Sequence, residues 1–344
     1  MKQHCLEFSA PGQVAVITGP APRPAADEVL VQTHYSAISQ GTEMLVYRGQ
    51  WPPGVPVDAK IEALAGDFAY PLHYGYCAVG QVIETGHAVT GEWLNLRVFA
   101  FQPHQNLFCA RPASLQPIPA DLDDETAVFL PSMETAVNLL LDGKPLIGEK
   151  ICVIGQGIIG LLTTALLSRF PLTTLVTLDG YPLRRQTALR MGAAECYDPQ
   201  DPAVFRRFSQ GPGRGGQADL VYELSGNPAA LDTAMALVRY SGRVVVGSWY
   251  GTKRADLDLG AFFHRGRVSL ISSQVSSIAP QLTGRWPRRR RLDLAWEMLR
   301  QVNPRACITH RFALDEAASA YALIDRRPAE TIQVIFDHRP GETK

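Results

Sequence analysis

A glycine-rich turn near the middle of the chain constrains the fold more than any other feature. The stretch "VIGQGIIG" (153–160) places Gly155, Gly157 and Gly160 in the G-x-G-x-x-G spacing. An apolar strand-like stretch, "KICVIG", precedes the turn, and an apolar helix-like stretch, "IIGLLTTALLSRF", follows it. This strand–turn–helix context gives the spacing its meaning, and it predicts part of a parallel sheet with helices on both faces.

The same turn predicts a dinucleotide site. The first glycine would permit the tight turn, the second would let a pyrophosphate reach the backbone, and the third would let the helix pack close to the strand. The start of the helix, at Ile158 and Ile159, would offer unpaired N–H groups to the phosphates. Asp179 ends the next strand, 19 residues after Gly160, where an acid can accept hydrogen bonds from a ribose.

The second half of the chain alternates strands and helices. Strand-like stretches include "TTLVTLD", "ADLVYELSG", "GRVVVG" and "GRVSLISS", and helix-like stretches separate most of them. This alternation predicts a Rossmann-type doubly wound parallel sheet, which we place at residues 126–276. Ser225 and Ser248 stand at the ends of two of these strands and are further candidate cofactor-binding residues.

The choice between NAD and NADP depends on three residues. A carboxylate at Asp179 would repel the ribose phosphate of NADP, which favours NAD. Arg184 and Arg185 follow five and six residues later and could neutralise that phosphate, or they could form a solvated helix face. We predict NAD, with NADP as the less favoured cofactor.

The first 125 residues have a different pattern. Short β-prone runs such as "QVAVIT" and "GQVIETG" are broken by Gly and Pro, which predicts a β-rich domain with barrel-like turns. At 344 residues the chain exceeds what one compact core usually holds, so two domains are expected. We place the β-rich domain at residues 1–125.

Three segments, taken in order, resemble one family. "HYSAISQGTEMLVYRG", "PLHYGYCAVGQVIETG" and "GEKICVIGQGIIGLLTTALL" are similar to the medium-chain dehydrogenase/reductase superfamily, the alcohol-dehydrogenase-like enzymes with a GroES-like catalytic domain. "YSAISQGTE", "YGYCAVG" and "LISSQVSSIAPQLTGRWPRRRR" resemble its bacteriochlorophyllide-dehydrogenase-like branch. The resemblance covers essentially the whole chain. It implies an α/β fold in which a GroES-like β-rich catalytic domain, completed by residues 277–344, accompanies the Rossmann sheet.

The resemblance also implies that zinc is absent. Zinc-dependent members carry Cys-Gly-[Ser/Thr]-Asp where this chain has "QGTE" (40–43), and Gly-His-Glu where it has "GYC" (75–77). The six cysteines are scattered without a Cys-x-x-Cys pair, which argues against a structural zinc lobe. A metal site rebuilt from His73, Cys77 and Glu43 is conceivable, but its ligands would have to face one cavity. We predict no metal.

Four residues are candidate catalytic groups. Tyr76 replaces a metal ligand of the family and is the first candidate for stabilising or protonating the substrate oxygen. Ser39, Gln40 and Glu43 are neighbouring polar groups by family position, and a structural hydrogen-bonding role is favoured for Glu43. Alternatively, Tyr76 only packs in the emptied metal pocket.

The resemblance further implies that Thr42 and Ser132 lie near the nicotinamide or its ribose. We therefore predict a zinc-independent oxidoreductase that transfers hydride between NAD(H) and a secondary alcohol or ketone. Two alternatives stay open. One is an enone- or quinone-type double-bond reductase that uses NAD(P)H, and the other is a dinucleotide-binding sensor without turnover.

Two further segments could shape a substrate site. The loop at residues 51–69 could form a lid or an aromatic wall with Trp51, Phe68 and Tyr70, or it could be a surface loop with a short helix. The run "RWPRRRR" (285–291) places basic residues at a helix start, where they oppose the helix dipole. An anionic substrate, loop carboxylates at Asp58, Glu62 or Asp67, or simple solvation would each explain that run.

Charge and hydropathy limit the partners. The chain has 33 basic and 33 acidic residues, so we expect no nucleic acid partner. No apolar run reaches the roughly 18 to 20 residues that a membrane span needs, and no secretory signal is visible, so we expect a cytoplasmic protein. The expected partner is a small-molecule substrate, possibly anionic. The resemblance implies a homodimer or homotetramer formed near "GRVSLISSQV".

Overall fold

The computed structural model describes residues 1–58, 61–208 and 217–339. The chain divides into two compact units. The first unit joins Met1–Phe129 to the C-terminal segment that begins at Pro304, and the second unit is Leu130–Asn303.

Both units combine β-strands with α-helices. The strands are β1 (Lys2–Ala10), β2 (Gln13–Pro20), β3 (Val29–Ala37), β4 (Ala78–Thr85), β5 (Arg97–Ala100), β6 (Leu107–Ala110), β7 (Leu115–Pro117), β8 (Lys150–Ile154), β9 (Thr174–Leu178), β10 (Glu195–Tyr197), β11 (Ala218–Glu223), β12 (Val238–Val246), β13 (Ser269–Ser272), β14 (Ile308–Ala313) and β15 (Gln333–Asp337). The α-helices are α1 (Glu43–Tyr47), α2 (Asp124–Ala127), α3 (Leu130–Gly143), α4 (Ile158–Leu167), α5 (Pro182–Arg190), α6 (Ala203–Phe208), α7 (Ala230–Leu237), α8 (Arg288–Val302) and α9 (Ala317–Arg326).

The first unit is built on a mixed β-sheet. Its strands lie in the order β14-β15-β3-β4-β5-β7, β6 pairs with β3, and β1 and β2 form a separate antiparallel pair. Strands β14 and β15 run parallel, whereas β3, β4 and β5 pair antiparallel. One buried cluster of this unit contains Phe8, Ile38, Met44, Tyr321 and Phe336, so the C-terminal segment supplies part of its core.

The second unit is the predicted doubly wound sheet. Its strands lie in the order β10-β9-β8-β11-β12-β13, and neighbouring strands run parallel. Strand β8 has β9, the next strand in the chain, on one side and β11 on the other. The strand order therefore reverses between β8 and β11, and ligands of open α/β sheets bind at such a switch point. The α/β prediction, a β-rich GroES-like domain plus a Rossmann sheet, is confirmed.

The segment that returns to the first unit begins later than the sequence pattern indicates. From the sequence, we place the Rossmann domain at 126–276 and the start of the C-terminal segment at 277. In the structure, the boundary between the units falls between Phe129 and Leu130, and the C-terminal segment of the first unit begins at Pro304. The reason is helix α8, whose Arg291 donates hydrogen bonds to Glu134 and Asn138 of α3. These contacts make residues up to Asn303 part of the second unit.

The arginine run has internal partners in the second unit. Arg291 is only 1% exposed and donates to Oε1 of Glu134 at 2.8 and 3.1 Å. Arg291 also donates to the backbone oxygens of Val275 and Ser277, and these bonds hold the loop after β13 against α8. The exposed Arg289 pairs with Asp293 at 2.9 Å. The expectation that loop carboxylates pair with this run is wrong for Arg291, because the acid that binds its guanidinium is Glu134 of α3.

Candidate active site

The glycine turn adopts a geometry that requires its first and third glycines. Gly155 has a φ of +90°, and a Cβ there would lie 2.6 Å from the backbone of Ser225. A Cβ on Gly160 would lie 1.9 Å from the Gly155 oxygen, so α4 packs directly against the turn. Around Gly157, the N-cap of α4, the nearest atom would be 4.0 Å away. That open space is what the approach of a phosphate to the backbone requires.

Asp179 stabilises the turn from the end of β9. Its carboxylate is 7% exposed and accepts hydrogen bonds from the N–H of Gln156 at 2.7 Å and from the N–H of Tyr181 at 2.8 Å. Each oxygen of a carboxylate has two lone pairs, so each can also accept from a ribose hydroxyl. The predicted ribose-binding acid therefore lies directly beside the predicted phosphate-binding turn.

The two arginines after Asp179 have different surroundings. Arg185 donates to Asp198 at 3.1 Å and to the backbone oxygen of Asp179 at 2.8 Å. The Arg184 guanidinium lies 4.9 Å from the centre of the Tyr181 ring, and burial lowers its pKa. Arg185 is thus held by an acid of its own chain, whereas Arg184 lies beside the turn at Gly157.

The remaining cofactor candidates of the second unit hold different positions. Ile158 and Ile159 form the first turn of α4, as predicted for the phosphate-facing amides. The hydroxyl of Ser225 donates to Glu223, and the hydroxyl of Ser248 accepts from the N–H of Gly226 at 2.9 Å. Ser132 lies half-buried in the first turn of α3. The two hydroxyls of the strand ends therefore hold the protein's own turns.

In the first unit, the hydroxyl of Tyr76 lies within hydrogen-bond distance of the hydroxyls of two other residues. It donates to the hydroxyl of Ser39 and lies 3.4 Å from the hydroxyl oxygen of Thr42. Burial raises the pKa of Tyr76 to about 12, although the bonds to Ser39 and Thr42 oppose that rise. Tyr76 is therefore a neutral hydrogen-bond donor at any ordinary working pH.

Glu43 lies behind this pair of hydroxyls and is fully buried. Its carboxylate accepts from the N–H of Ser39 at 2.7 Å, from Nε2 of His104 at 3.0 Å and from the hydroxyl of Tyr321. Both oxygens of this carboxylate are therefore engaged by groups of the protein itself. The geometry thus supports the structural hydrogen-bonding role for Glu43 rather than direct participation in chemistry.

A chain of buried polar groups continues from Glu43, and the sequence did not indicate it. Nδ1 of His104 lies 2.7 Å from the hydroxyl of Ser36, which lies 2.8 Å from Nε2 of His338. These residues stand 302 positions apart at the extremes and form no motif. The one weak signal in the sequence is the glycine at position 75. Its φ is +117°, and a Cβ there would lie 2.8 Å from the His104 ring, so the position requires glycine.

The alternative metal site is not assembled. His73 is exposed and its Nδ1 lies 2.9 Å from the backbone oxygen of Leu6, whereas the buried thiol of Cys77 donates to the oxygen of Val128. Burial raises the pKa of Cys77 to about 12. Within residues 1–58, 61–208 and 217–339, no group of three His, Cys, Asp or Glu side chains is arranged to hold a metal ion.

The aromatic residues of the 51–69 loop pack together within the first unit. The rings of Trp51 and Phe68 are stacked at 5.0 Å, and Tyr70 meets the edge of Phe68 at 5.2 Å. Trp51 also contacts Tyr74, whose ring lies 6.3 Å from that of Tyr76. The loop thus combines this aromatic cluster with a short 3-10 helix at Glu62–Leu64, and a role as a lid or wall of a substrate site stays a prediction.

Comparisons with known proteins agree with this geometry. The family described as "Zinc-binding dehydrogenase" matches residues 159–288. D-guloside 3-dehydrogenase of Escherichia coli K12 is 25% identical, over 80% of this chain and 81% of its own. A 2-desacetyl-2-hydroxyethyl bacteriochlorophyllide A dehydrogenase of Cereibacter sphaeroides is 24% identical, over 98% of this chain and 99% of its own.

These matches support the resemblance of the chain to the medium-chain dehydrogenase/reductase superfamily.

Solved structures of this superfamily share the fold. A dehydrogenase of E. coli CFT073 complexed with NADH has a TM-score of 0.76 at 17% identity, and covers 98% of this chain and 99% of its own. A zinc-binding dehydrogenase described as putative, from Sinorhizobium meliloti 1021 and bound to NADP, has a TM-score of 0.77 at 20% identity with the same coverage. The family model and the names of the relatives point to an oxidoreductase of the alcohol dehydrogenase type. Among its described residues, no helix combines the length and apolar character that a bilayer crossing requires.

The pKa of His338 predicts how the stability of the protein depends on pH. Burial, with a contribution from His104, lowers the pKa of His338 from 6.5 to about 3. Below about pH 6.5, His338 binds a proton in the unfolded chain, whereas in the folded protein it stays neutral down to about pH 3. The free energy of unfolding should therefore fall as the pH drops from 6.5 to 5, by at most about 2 kcal/mol from this residue.

The check is thermal unfolding at pH 7.5 and pH 5 of the wild type and of His338→Gln. We expect the wild type to lose more stability between the two values than the variant does. Equal losses in both proteins would contradict the prediction.

Proposed function

We propose that this protein is a zinc-independent dehydrogenase that transfers hydride between NAD(H) and a secondary alcohol or ketone. The observation that carries the proposal is the bonding of Tyr76 to Ser39 and Thr42, at a position where zinc-dependent members of the family place a ligand. The phenol has one proton, so to donate to a carbonyl oxygen Tyr76 would turn its O–H away from Ser39, and the Ser39 hydroxyl would then donate to the phenol oxygen.

The side chains at this place do not suit zinc. Catalytic zinc takes three thiolate, imidazole or carboxylate ligands, whereas Tyr76 keeps its proton and Gln40 carries an amide. His73 and Cys77 bond to separate backbone oxygens, and Glu43 is engaged with His104. The proposed reaction therefore uses no metal ion.

Gln40 supports the proposal as a second donor. Its Nε2 atom is buried and has no hydrogen-bond partner among the described residues. A buried donor without a partner is costly, and a substrate oxygen would satisfy it. Gln40 and Tyr76 would then hold the substrate oxygen by two donors, the arrangement that stabilises developing negative charge without a metal.

The proton would come from the phenol. When a ketone is reduced, Tyr76 would give its proton to the new alkoxide, and the tyrosinate that remains would take up a proton from solvent water before the next turnover. Alcohol oxidation would run these transfers in reverse. A bound nicotinamide supplies or accepts the hydride.

The residues of the second unit fit a dinucleotide. The open space at Gly157 would admit the pyrophosphate, and Asp179 would accept from the adenosine ribose. We propose NAD rather than NADP, because Asp179 would repel a ribose phosphate and Arg185 is already paired with Asp198. The two similar solved structures contain NADH in one case and NADP in the other.

We also propose that the protein forms a homodimer or homotetramer through the edge of the second unit's sheet. Strand β13 is the last strand of that sheet, and its Leu270 is 41% exposed. An exposed edge strand with an apolar side chain can pair with a second copy.

The test is turnover by purified protein whose metal content is assayed. NAD is supplied with a panel of secondary alcohols, and NADH or NADPH with matched ketones and enones, while the nicotinamide absorbance is followed. We expect metal-free protein to oxidise an alcohol or reduce a ketone, with NAD(H) preferred. Turnover of enones alone would contradict the alcohol–ketone proposal and favour a double-bond reductase. Activity that requires added zinc would contradict zinc independence.

A further inference from the structure

We propose that Tyr250 and Glu223 are a positioning pair for the cofactor site. They hold the turn at Ser225 and Gly226 against the first glycine of the phosphate-binding turn. The inference rests on the nicotinamide cofactor proposed above, and neither residue was indicated by the sequence motifs.

Glu223 is a fully buried carboxylate at the carboxyl end of β11. One of its oxygens accepts from both the N–H and the hydroxyl of Ser225, the former at 2.8 Å. The other accepts from the hydroxyl of Tyr250. These donors are neutral, so hydrogen bonds must compensate the loss of hydration of the carboxylate.

Ser225 transmits this arrangement to the glycine turn. A Cβ on Gly155 would lie 2.6 Å from both Cα and N of Ser225, so the two backbones are in direct contact. The N–H of Leu224 also donates to the oxygen of Ile154 at 2.8 Å. The ends of β8 and β11 therefore stay paired up to the point where their loops diverge.

The segment that follows β12 also forms hydrogen bonds with Glu223 and Gly226. The N–H of Gly247 donates to the backbone oxygen of Glu223 at 3.0 Å, and Ser248 accepts from the N–H of Gly226. The ammonium of Lys253 donates to the oxygen of Gly226 at 2.6 Å. Tyr250 lies between these contacts in the sequence, and its hydroxyl fixes the segment to the carboxylate.

The position of Tyr250 and Glu223 in the fold indicates a role in cofactor binding. The turns after β8 and β11 flank the switch point of the sheet, where dinucleotides bind. On the opposite side of the glycine turn, Asp179 accepts from the N–H of Gln156. One buried carboxylate therefore steadies the turn from β9 and another steadies it from β11. Loss of the Tyr250 hydroxyl would free Glu223 to move, and Ser225 with it.

The test is a fluorescence titration with NADH of the wild type, Tyr250→Phe and Tyr222→Phe. Tyr222 is the matched control, since it lies on the same strand as Glu223 and its buried hydroxyl has no partner among the described residues. We expect Tyr250→Phe to raise the Kd for NADH about tenfold and Tyr222→Phe to leave it within about twofold of the wild type. Ser225→Ala removes another donor to Glu223 and should also weaken binding.

The outcomes separate the possibilities. A folded Tyr250→Phe that binds NADH like the wild type overturns the inference, as does an equal loss in Tyr222→Phe. A lower melting temperature with an unchanged Kd would show a purely structural role and overturn it as well. If Tyr250→Phe does not fold, Ser225→Ala decides by the same criterion. A wild type that binds neither NADH nor NADPH overturns the cofactor proposal together with this inference.

Discussion

Replacing Tyr76 with phenylalanine is expected to lower the turnover number of alcohol oxidation and ketone reduction by about 100- to 1,000-fold. The substitution keeps the ring and removes the hydroxyl that is bonded to Ser39 and Thr42. The Kd for NADH should be unchanged, because the residues proposed to bind the cofactor's phosphates and adenosine ribose belong to the second unit. Steady-state kinetics on a substrate from the panel, with a parallel NADH titration, measures both.

Tyr74→Phe is the control for this experiment. It removes a hydroxyl from the adjacent buried ring, 6.3 Å from the ring of Tyr76, and should leave turnover within a fewfold of the wild type. Nearly full activity in Tyr76→Phe would favour the other interpretation, in which the tyrosine only packs in the place of a lost metal ligand. Since the pKa of Tyr76 is about 12, its ionisation should not limit reduction below about pH 11.

Replacing Arg291 with methionine is expected to reduce the free energy of unfolding by about 3–5 kcal/mol. The change leaves the carboxylate of Glu134, which is 3% exposed, without its closest guanidinium, whereas that of Arg288 lies 4.0 Å away and is half exposed. It also removes the donors that bind Asn138 and the backbone oxygen of Val275. Thermal unfolding should show a melting temperature lower by about 10 °C.

Arg289→Met is the matched control on the same helix. Its side chain is 78% exposed and pairs with Asp293, so the loss should stay below about 1 kcal/mol. The double variant Arg291→Met/Glu134→Leu should recover much of the stability, because it removes the unpaired charge. Equal melting temperatures for the two single variants would contradict a structural role for Arg291.

The glycine turn shows how much of the second unit was predictable. Gly155, Gly157 and Gly160 act through short-range constraints: a positive φ, an open approach to the backbone and a close helix. Such constraints leave a fixed spacing in the sequence, and Asp179 follows at the end of the next strand. The Rossmann sheet and its candidate cofactor site could therefore be predicted from the sequence alone.

The first unit was predictable only in part. The resemblance identified Tyr76 and Ser39, and the structure places their hydroxyls in contact. It did not indicate His104 or Tyr321, which bind the buried Glu43 from distant parts of the chain. No local spacing relates these residues, because His104 meets Glu43 and Ser36 only in the folded sheet, and Tyr321 meets Glu43 only when the C-terminal segment packs on the first unit.

The sequence by itself determined the glycine turn, its acid and the alternation of strands and helices, because these follow from backbone conformation and from periodicity along a few neighbouring residues. The tertiary structure decided that Arg291 pairs with Glu134, which makes α8 part of the second unit, and that Glu223 receives the hydroxyl of Tyr250. Both arrangements surround a buried charge. The stability of such a charge depends on which distant groups surround it, and only the folded chain brings those groups together.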